Sequence, residues 1–226
     1  MDMAERADKD LAFMLRYENV AWYDGEVVRI LDRRVYPAKT EYVTCRSYVE
    51  VADAIRDMVT QSGGPYLAAA MGMALAAKEG AGKKGEEFIA HMEKAASVLS
   101  HARPTTMQRM IDITSGCLEA AAAAIVQGEK VDEAVFTEAL HTVNARYAKT
   151  ALAAKYLVDK IPDDGTVMTQ CFAETIIGMM LKECRARGKT ISVICAETRP
   201  YFQGARLTAS VVKDMGFDVT VITDNM

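Results

Sequence analysis

The spacing of apolar positions divides the chain into three stretches. Between Tyr17 and Tyr36, Val20-Ala21-Trp22-Tyr23 and Val27-Val28-Arg29-Ile30-Leu31 flank Asp24-Gly25. This is the pattern of a β-hairpin, because Asp-Gly favours a tight turn with both residues at positive φ. Pro37 closes the segment, and Tyr42-Val43-Thr44 predicts a third short strand. Residues 1–12 carry a polar start and predict a mobile tail leading into a helix.

From Ser47 the period changes to that of a helix. Ser47 and Glu50 form a capping-box pair, and Val51, Ala54, Ile55, Met58 and Val59 follow at helical spacing. Gln61-Ser62-Gly63-Gly64-Pro65 breaks that helix. Helices are predicted over 66–78, 86–99 and from Pro104 to about Gln127, with Pro104 suited to a first helical turn. Residues 131–158 predict one long helix or two.

The last stretch alternates. Strands are predicted at 166–169, 191–195 and 218–223, and helices at 175–187 and 203–215. Short apolar strands separated by helices predict a parallel, doubly wound, Rossmann-like sheet with buried strands. The expected class is α/β. Residues 1–160 form a β-hairpin and helical domain, and residues 161–226 form the first part of the Rossmann-like domain. The chain stops on a strand, which is expected of a fragment, a truncated product or half of a two-chain assembly.

Composition narrows the function. The 226 residues are 50% hydrophobic and 26% charged, with a net charge of −4. Without a basic block, a nucleic-acid face has no support. No apolar run reaches the length of a membrane span, so no membrane partner is expected. The five cysteines are widely spaced and contain no CxxC pair. That argues against a metal site and for a reducing, cytoplasmic location.

Ligands of open α/β sheets bind beyond the carboxyl ends of the strands. There the sequence places Cys171, Glu197-Thr198-Arg199-Pro200 and Asp224. Cys171 precedes a helix N-terminus, a setting that favours thiolate. Cys195 and Cys184 read as packing. A thiol and a carboxylate in one crevice suit proton shuttling on a carbonyl or hemiacetal carbon. Arg103 before Pro104, Gln203-Gly204 and the Ser62-Gly63-Gly64 loop stand at helix starts that favour anions. Neither a P-loop nor a GxGxxG is present.

Several motifs resemble one family. They are Glu197-Thr198-Arg199-Pro200, Gln203-Gly204-Ala205-Arg206-Leu207-Thr208-Ala209, Val221-Ile222-Thr223-Asp224-Asn225-Met226, Thr169-Gln170-Cys171 and Ala102-Arg103-Pro104-Thr105. Together they resemble the S-methyl-5-thioribose-1-phosphate isomerase family, related to ribose-1,5-bisphosphate isomerase and the regulatory subunits of translation initiation factor 2B. The resemblance covers residues 14–226.

It implies an aldose–ketose isomerase acting on a sugar 1-phosphate without metal or nucleotide cofactor, by an enediolate route or a hydride shift. Cys171 and Asp224 match the catalytic pair. Arg103 and Gln203 match phosphate-holding residues, and Gln61, Ser62 and Gly63 occupy the substrate loop. A cytoplasmic homodimer in methionine salvage is implied, with a further α/β portion that carries an Asn-Lys pair.

Two segments depart from the family pattern. Gln61-Ser62-Gly63 replaces Arg-Gly-Ala, and Phe172-Ala173-Glu174 replaces Asn-Ala-Gly. Glu174 adds negative charge beside the expected phosphate site. These differences widen the expected substrates to 5-deoxy-pentose 1-phosphates. They also keep open a non-catalytic regulatory protein that binds a sugar phosphate or nucleotide on the same fold.

Overall fold

The computed structural model describes residues 6–226, so residues 1–5 of the expected N-terminal tail lie outside the described residues. The chain forms two compact units. The first holds residues 17–34 and 41–143. The second holds the described residues through Arg16, together with 35–40 and 144–226.

The first unit begins with a one-turn helix α1 (Tyr17–Val20) and the strands β1 (Ala21–Tyr23), β2 (Val28–Leu31) and β3 (Tyr42–Cys45). They form an antiparallel sheet in the order β1-β2-β3. The hairpin occurs where the pattern places it, but its turn differs. Tyr23 pairs with Val28, so Asp24–Val27 make a four-residue loop. Only Gly25 takes positive φ, at 97°. The Asp24 carboxylate accepts from the N–H groups of Glu26 (3.1 Å) and Val27 (3.0 Å). Side-chain capping replaces the two-residue turn, and those bonds lower the Asp24 pKa, the Val27 bond first.

Helix α2 (Tyr48–Arg56) starts on the predicted cap, with the Glu50 N–H donating to Ser47 Oγ at 3.2 Å. Glu50 returns the contact one residue early, accepting from the Arg46 N–H at 2.7 Å. Helix α3 (Gly64–Glu79) is buried at every residue from Gly64 to Ala77. An all-round apolar helix of this kind is the centre of a core. It packs against α2, β1, α4 (Glu86–His101) and α5 (Met107–Gln127).

Pro104 opens a 3-10 turn, Pro104–Thr106, that leads into α5. By length and composition alone, Pro104–Gln127 is apolar enough to cross a membrane. Arg109, Asp112 and Glu119 interrupt it, so it is not an uninterrupted apolar run of the length that a span needs. Its alanine-rich second half carries the apolar character in small side chains, and the helix packs on α3 and α4. Helix α6 (Val131–Val158) is one continuous helix. Residues through Val143 belong to the first unit. There Phe136 meets Trp22 edge-on at 5.2 Å, and Tyr23 Oη donates to Asp132 at 3.0 Å.

In the second unit, β4 (Thr166–Thr169), α7 (Thr175–Ala186), β5 (Ser192–Ala196), α8 (Ala209–Asp214) and β6 (Asp218–Ile222) build the expected parallel sheet, ordered β4-β5-β6. Both crossovers step in the same direction. Right-handed crossovers then put α7 and α8 on one face, where they pack together. Burial follows that geometry. Central β5 is mostly covered, whereas Met168 of β4 is 61% exposed and Val221 of β6 is 47% exposed. The expectation of buried flanking strands is therefore corrected. Among the described residues, helices cover only one face of β4 and β6.

The described part of the mobile tail expected over residues 1–12, together with the residues just after it, differs from that expectation. Leu11, Ala12, Met14 and Leu15 are buried. Leu11 and Leu15 lie against Gly178 of α7, where an added Cβ would meet Leu15 Cδ1 at 2.4 Å. The Phe13 N–H donates to Asp214 of α8 at 2.5 Å. The polar residues before Leu11 hide an apolar pattern too short to stand out by periodicity.

Candidate functional site

The three strands of the second unit end in register. Thr169 pairs with Cys195, and Ala196 pairs with Ile222. Cys171, Thr198 and Asp224 therefore each stand two residues past the end of their own strand. Three adjacent loops carry them along the carboxyl edge of the sheet, where parallel strands lie about 4.8 Å apart.

Cys171 is the one cysteine that is not buried. Burial pushes the thiol pKa of Cys45 and of Cys117 up to about 12. It also raises those of Cys184 and Cys195, so packing is their role, as expected. Cys171 takes a left-handed backbone, with φ 61°. Its N–H donates to Thr198 Oγ1 at 2.9 Å, and its carbonyl accepts from Thr208 Oγ1 at 2.6 Å. Phe172 and Glu174 behind it are buried, Glu174 at 2% exposure.

Asp224 is exposed, and its two carboxylate oxygens accept from consecutive backbone groups. The Thr198 N–H and the Arg199 N–H each donate at 2.7 Å. These bonds, the one from Arg199 first, hold the carboxyl below its ordinary pKa. The group is thus favoured as an anion. Arg199 also turns its Nε to Glu197 at 2.7 Å.

Gln203 is half-buried at the start of the last crossover. The α-helix expected from Gln203 begins instead as a π turn, Gly204–Thr208, before α8. Gly204 runs hard against the end of β5, since a Cβ there would lie 1.8 Å from the Ala196 carbonyl oxygen. The wider turn carries Thr208 to the Cys171 carbonyl. Such π turns recur at functional sites.

The remaining predicted residues belong to the first unit. Gln61 and Gly63 are buried, and Ser62, at φ 58°, is the exposed member of the loop. The Gln61 carbonyl accepts from the Gly64 N–H at 3.0 Å and from Arg33 Nη1 at 2.7 Å. Arg33 was not singled out by sequence. It is fully buried and brings a guanidinium to the loop whose own arginine is replaced. Arg103 is half-exposed with an extended backbone, and its carbonyl accepts from Thr106 Oγ1 at 3.3 Å. A cavity of about 460 Å³ opens elsewhere in this unit, beside Lys83, Lys84, Phe88 and Lys130. None of the predicted site residues lines it.

Sequence reasoning put Thr198 on a crevice loop without giving its side chain a role, and it missed Thr208. Both stand inside the motifs that carry the family resemblance, but nothing in a linear sequence shows that their hydroxyls meet at Cys171.

Known proteins place this arrangement in context. The methylthioribose-1-phosphate isomerase of Thermosipho melanesiensis is 35% identical over 221 residues, which is 94% of this chain and 63% of that protein. The 5-deoxyribose 1-phosphate isomerase of Moorella thermoacetica is 32% identical, over 92% of this chain and 61% of its own length. Among solved structures, the translation initiation factor eIF-2B subunit delta from A. fulgidus superposes with a TM-score of 0.71 at 30% identity, over 92% of this chain and 63% of that one. The chain thus spans less than two thirds of the length of these relatives. The model of the Initiation factor 2 subunit family matches residues 61–226, from the Gln61 loop to the last residue, and the chain belongs to that family.

Proposed function

We propose that this chain carries the catalytic pair of an aldose–ketose isomerase. Its substrate is a sugar 1-phosphate, either S-methyl-5-thioribose 1-phosphate or a 5-deoxy-pentose 1-phosphate. The supporting observation is the edge of the parallel sheet. The single accessible thiol, Cys171, and a carboxylate favoured as an anion, Asp224, are both held there by Thr198. In this reading Cys171 moves the proton at carbon, and Asp224 handles the proton on the ring or hydroxyl oxygen. Arg103, Gln203 and the Gln61-Ser62-Gly63 loop hold the phosphate and sugar. The names of the isomerase relatives agree with this chemistry. The site residues, a cytoplasmic location and a homodimeric state are part of the same proposal.

The test is an NMR assay of aldose-to-ketose conversion across pentose 1-phosphates. Conversion is expected in the parent. Cys171→Ser and Asp224→Asn are each expected to lower it by about a thousandfold or more while the fold persists. Normal turnover in either variant overturns the assignment. One observation favours a second reading, a regulatory protein that binds a sugar phosphate. Gln61, which is buried, stands where the family pattern has an arginine. Calorimetric binding without turnover across the same panel would select that reading.

A further inference from the structure

Two bonds of Thr198 reach the two proposed reacting residues, and a third reaches the end of β5. Its backbone N–H donates to Asp224 Oδ1 at 2.7 Å. Its hydroxyl oxygen accepts from the Cys171 N–H at 2.9 Å. The same hydroxyl donates its proton to the Ala196 carbonyl at 3.1 Å. The last bond commits the hydroxyl hydrogen to the end of β5 and leaves a lone pair facing Cys171. Only a residue that both donates and accepts at one atom can do this.

Cys171 needs such support. A left-handed backbone is sparsely populated by residues with a Cβ and persists where the surroundings over-determine it. Both polar groups of the Cys171 residue are taken by threonine hydroxyls. Thr198 receives the N–H, and Thr208, fully buried on the π turn, donates to the C=O at 2.6 Å. Thr198 is itself left-handed, at φ 62°. That turn aims its N–H and the Arg199 N–H at one carboxylate. Gly204 packs beside the Thr198 hydroxyl, and a Cβ on it would stand 3.1 Å from Thr198 Oγ1.

We propose that Thr198 is a positioning residue that sets the Cys171 thiol and the Asp224 carboxylate in register across two strand ends, with Thr208 as the second jaw on Cys171. The inference rests on the reading of Cys171 and Asp224 as the reacting pair. It makes the hydroxyl, rather than the volume, of residue 198 the feature that matters.

The test compares Thr198→Val, Thr198→Ser and Thr208→Val with the parent protein, each checked for fold by circular dichroism. Two readouts are taken. The first is kcat and KM for the isomerisation. The second is the pH dependence of Cys171 alkylation by iodoacetamide, which needs no turnover. Thr198→Val is expected to lower kcat about a hundredfold with little change in KM, as a small misplacement of a reacting group does. It is also expected to change the alkylation rate of Cys171 by about tenfold. Thr198→Ser restores both, and Thr208→Val reproduces the alkylation change. Unchanged kcat and an unchanged alkylation profile in Thr198→Val overturn the proposal, as does a serine variant no better than valine. If Thr198→Val fails to fold, Thr198→Ala, which also removes the hydroxyl, carries the same decision. A parent without turnover, but with alkylation that responds to Thr198, separates failure of the isomerase reading from failure of the clamp.

Discussion

The Nη1 of Arg33 lies 2.7 Å from the carbonyl oxygen of Gln61, so a fully buried cation just after β2 holds the loop that opens α3. The backbone supports the same contact, with the Arg33 N–H donating to the Val59 carbonyl at 2.8 Å. Arg33→Met keeps the apolar stem and removes the charge-assisted bond. A loss of about 2–3 kcal/mol is expected, seen as a fall in Tm of roughly 5–10 °C. A Tm within a degree of the parent would show that Arg33 does not hold the loop.

Gly64 stands where no side chain fits. A Cβ there would lie 1.7 Å from Thr60 Oγ1 and 3.1 Å from Arg33 Nη1. Gly64→Ala is expected to destabilise by about 3 kcal/mol or more, at the upper end of overpacking costs. Thr60 Oγ1 is buried without a hydrogen-bond partner among the described residues, so Thr60→Ala loses no bond of its own. Thr60→Ala combined with Gly64→Ala should recover part of the stability. Chemical denaturation of the four members of this cycle measures the coupling, and simple additivity would refute the clash.

Asp224 predicts a pH dependence with a definite sign. Backbone N–H groups lower its pKa below the ordinary 3.8, so the folded state favours the carboxylate. The stabilisation is complete above the unfolded value and is lost as pH falls through the lower folded value. Asp224→Asn should therefore lower Tm at neutral pH, and the gap to the parent should close as pH drops below about 4. A gap that stays constant from pH 7 to pH 3 contradicts this account.

Thiol labelling should be selective. In the native protein at neutral pH, iodoacetamide should modify Cys171 and spare Cys45, Cys117, Cys184 and Cys195, whose burial both shields them and raises their pKa values. Denaturation should open all five to the reagent. Peptide mass spectrometry reads the result, and early labelling at any of the four buried positions counts against it.

Much of this architecture is legible in the chain because it depends on local rules. The Ser47 cap, the apolar period of α2 and the strand at Thr166–Thr169 follow from neighbours within a few residues. Cys171 and Asp224 could be placed at strand ends for the same reason. What escaped depends on distant groups. The Asp24 loop is four residues long because a carboxylate caps it. The place of Gly204 on the π turn depends on the Ala196 carbonyl in another element, which leaves no room for a Cβ there. Arg34 pairs with Asp32 at 2.7 Å, two residues away, whereas its neighbour Arg33 turns inward to a loop 28 residues further on.

The burial of α3 has a kinetic consequence. Amides open to exchange with solvent in cooperative groups, and the slowest report global unfolding. With every residue from Gly64 to Ala77 out of solvent, the amides beyond its first turn are expected to belong to that slowest group within their unit. The Gln61 loop is anchored to this helix at its first residue, through the Gly64 N–H, and by Arg33 from the other side. Fraying elsewhere in the unit, in the exposed turns around Lys83 and Glu129 for example, therefore leaves the loop in place. Its geometry lasts as long as the unit itself stays folded.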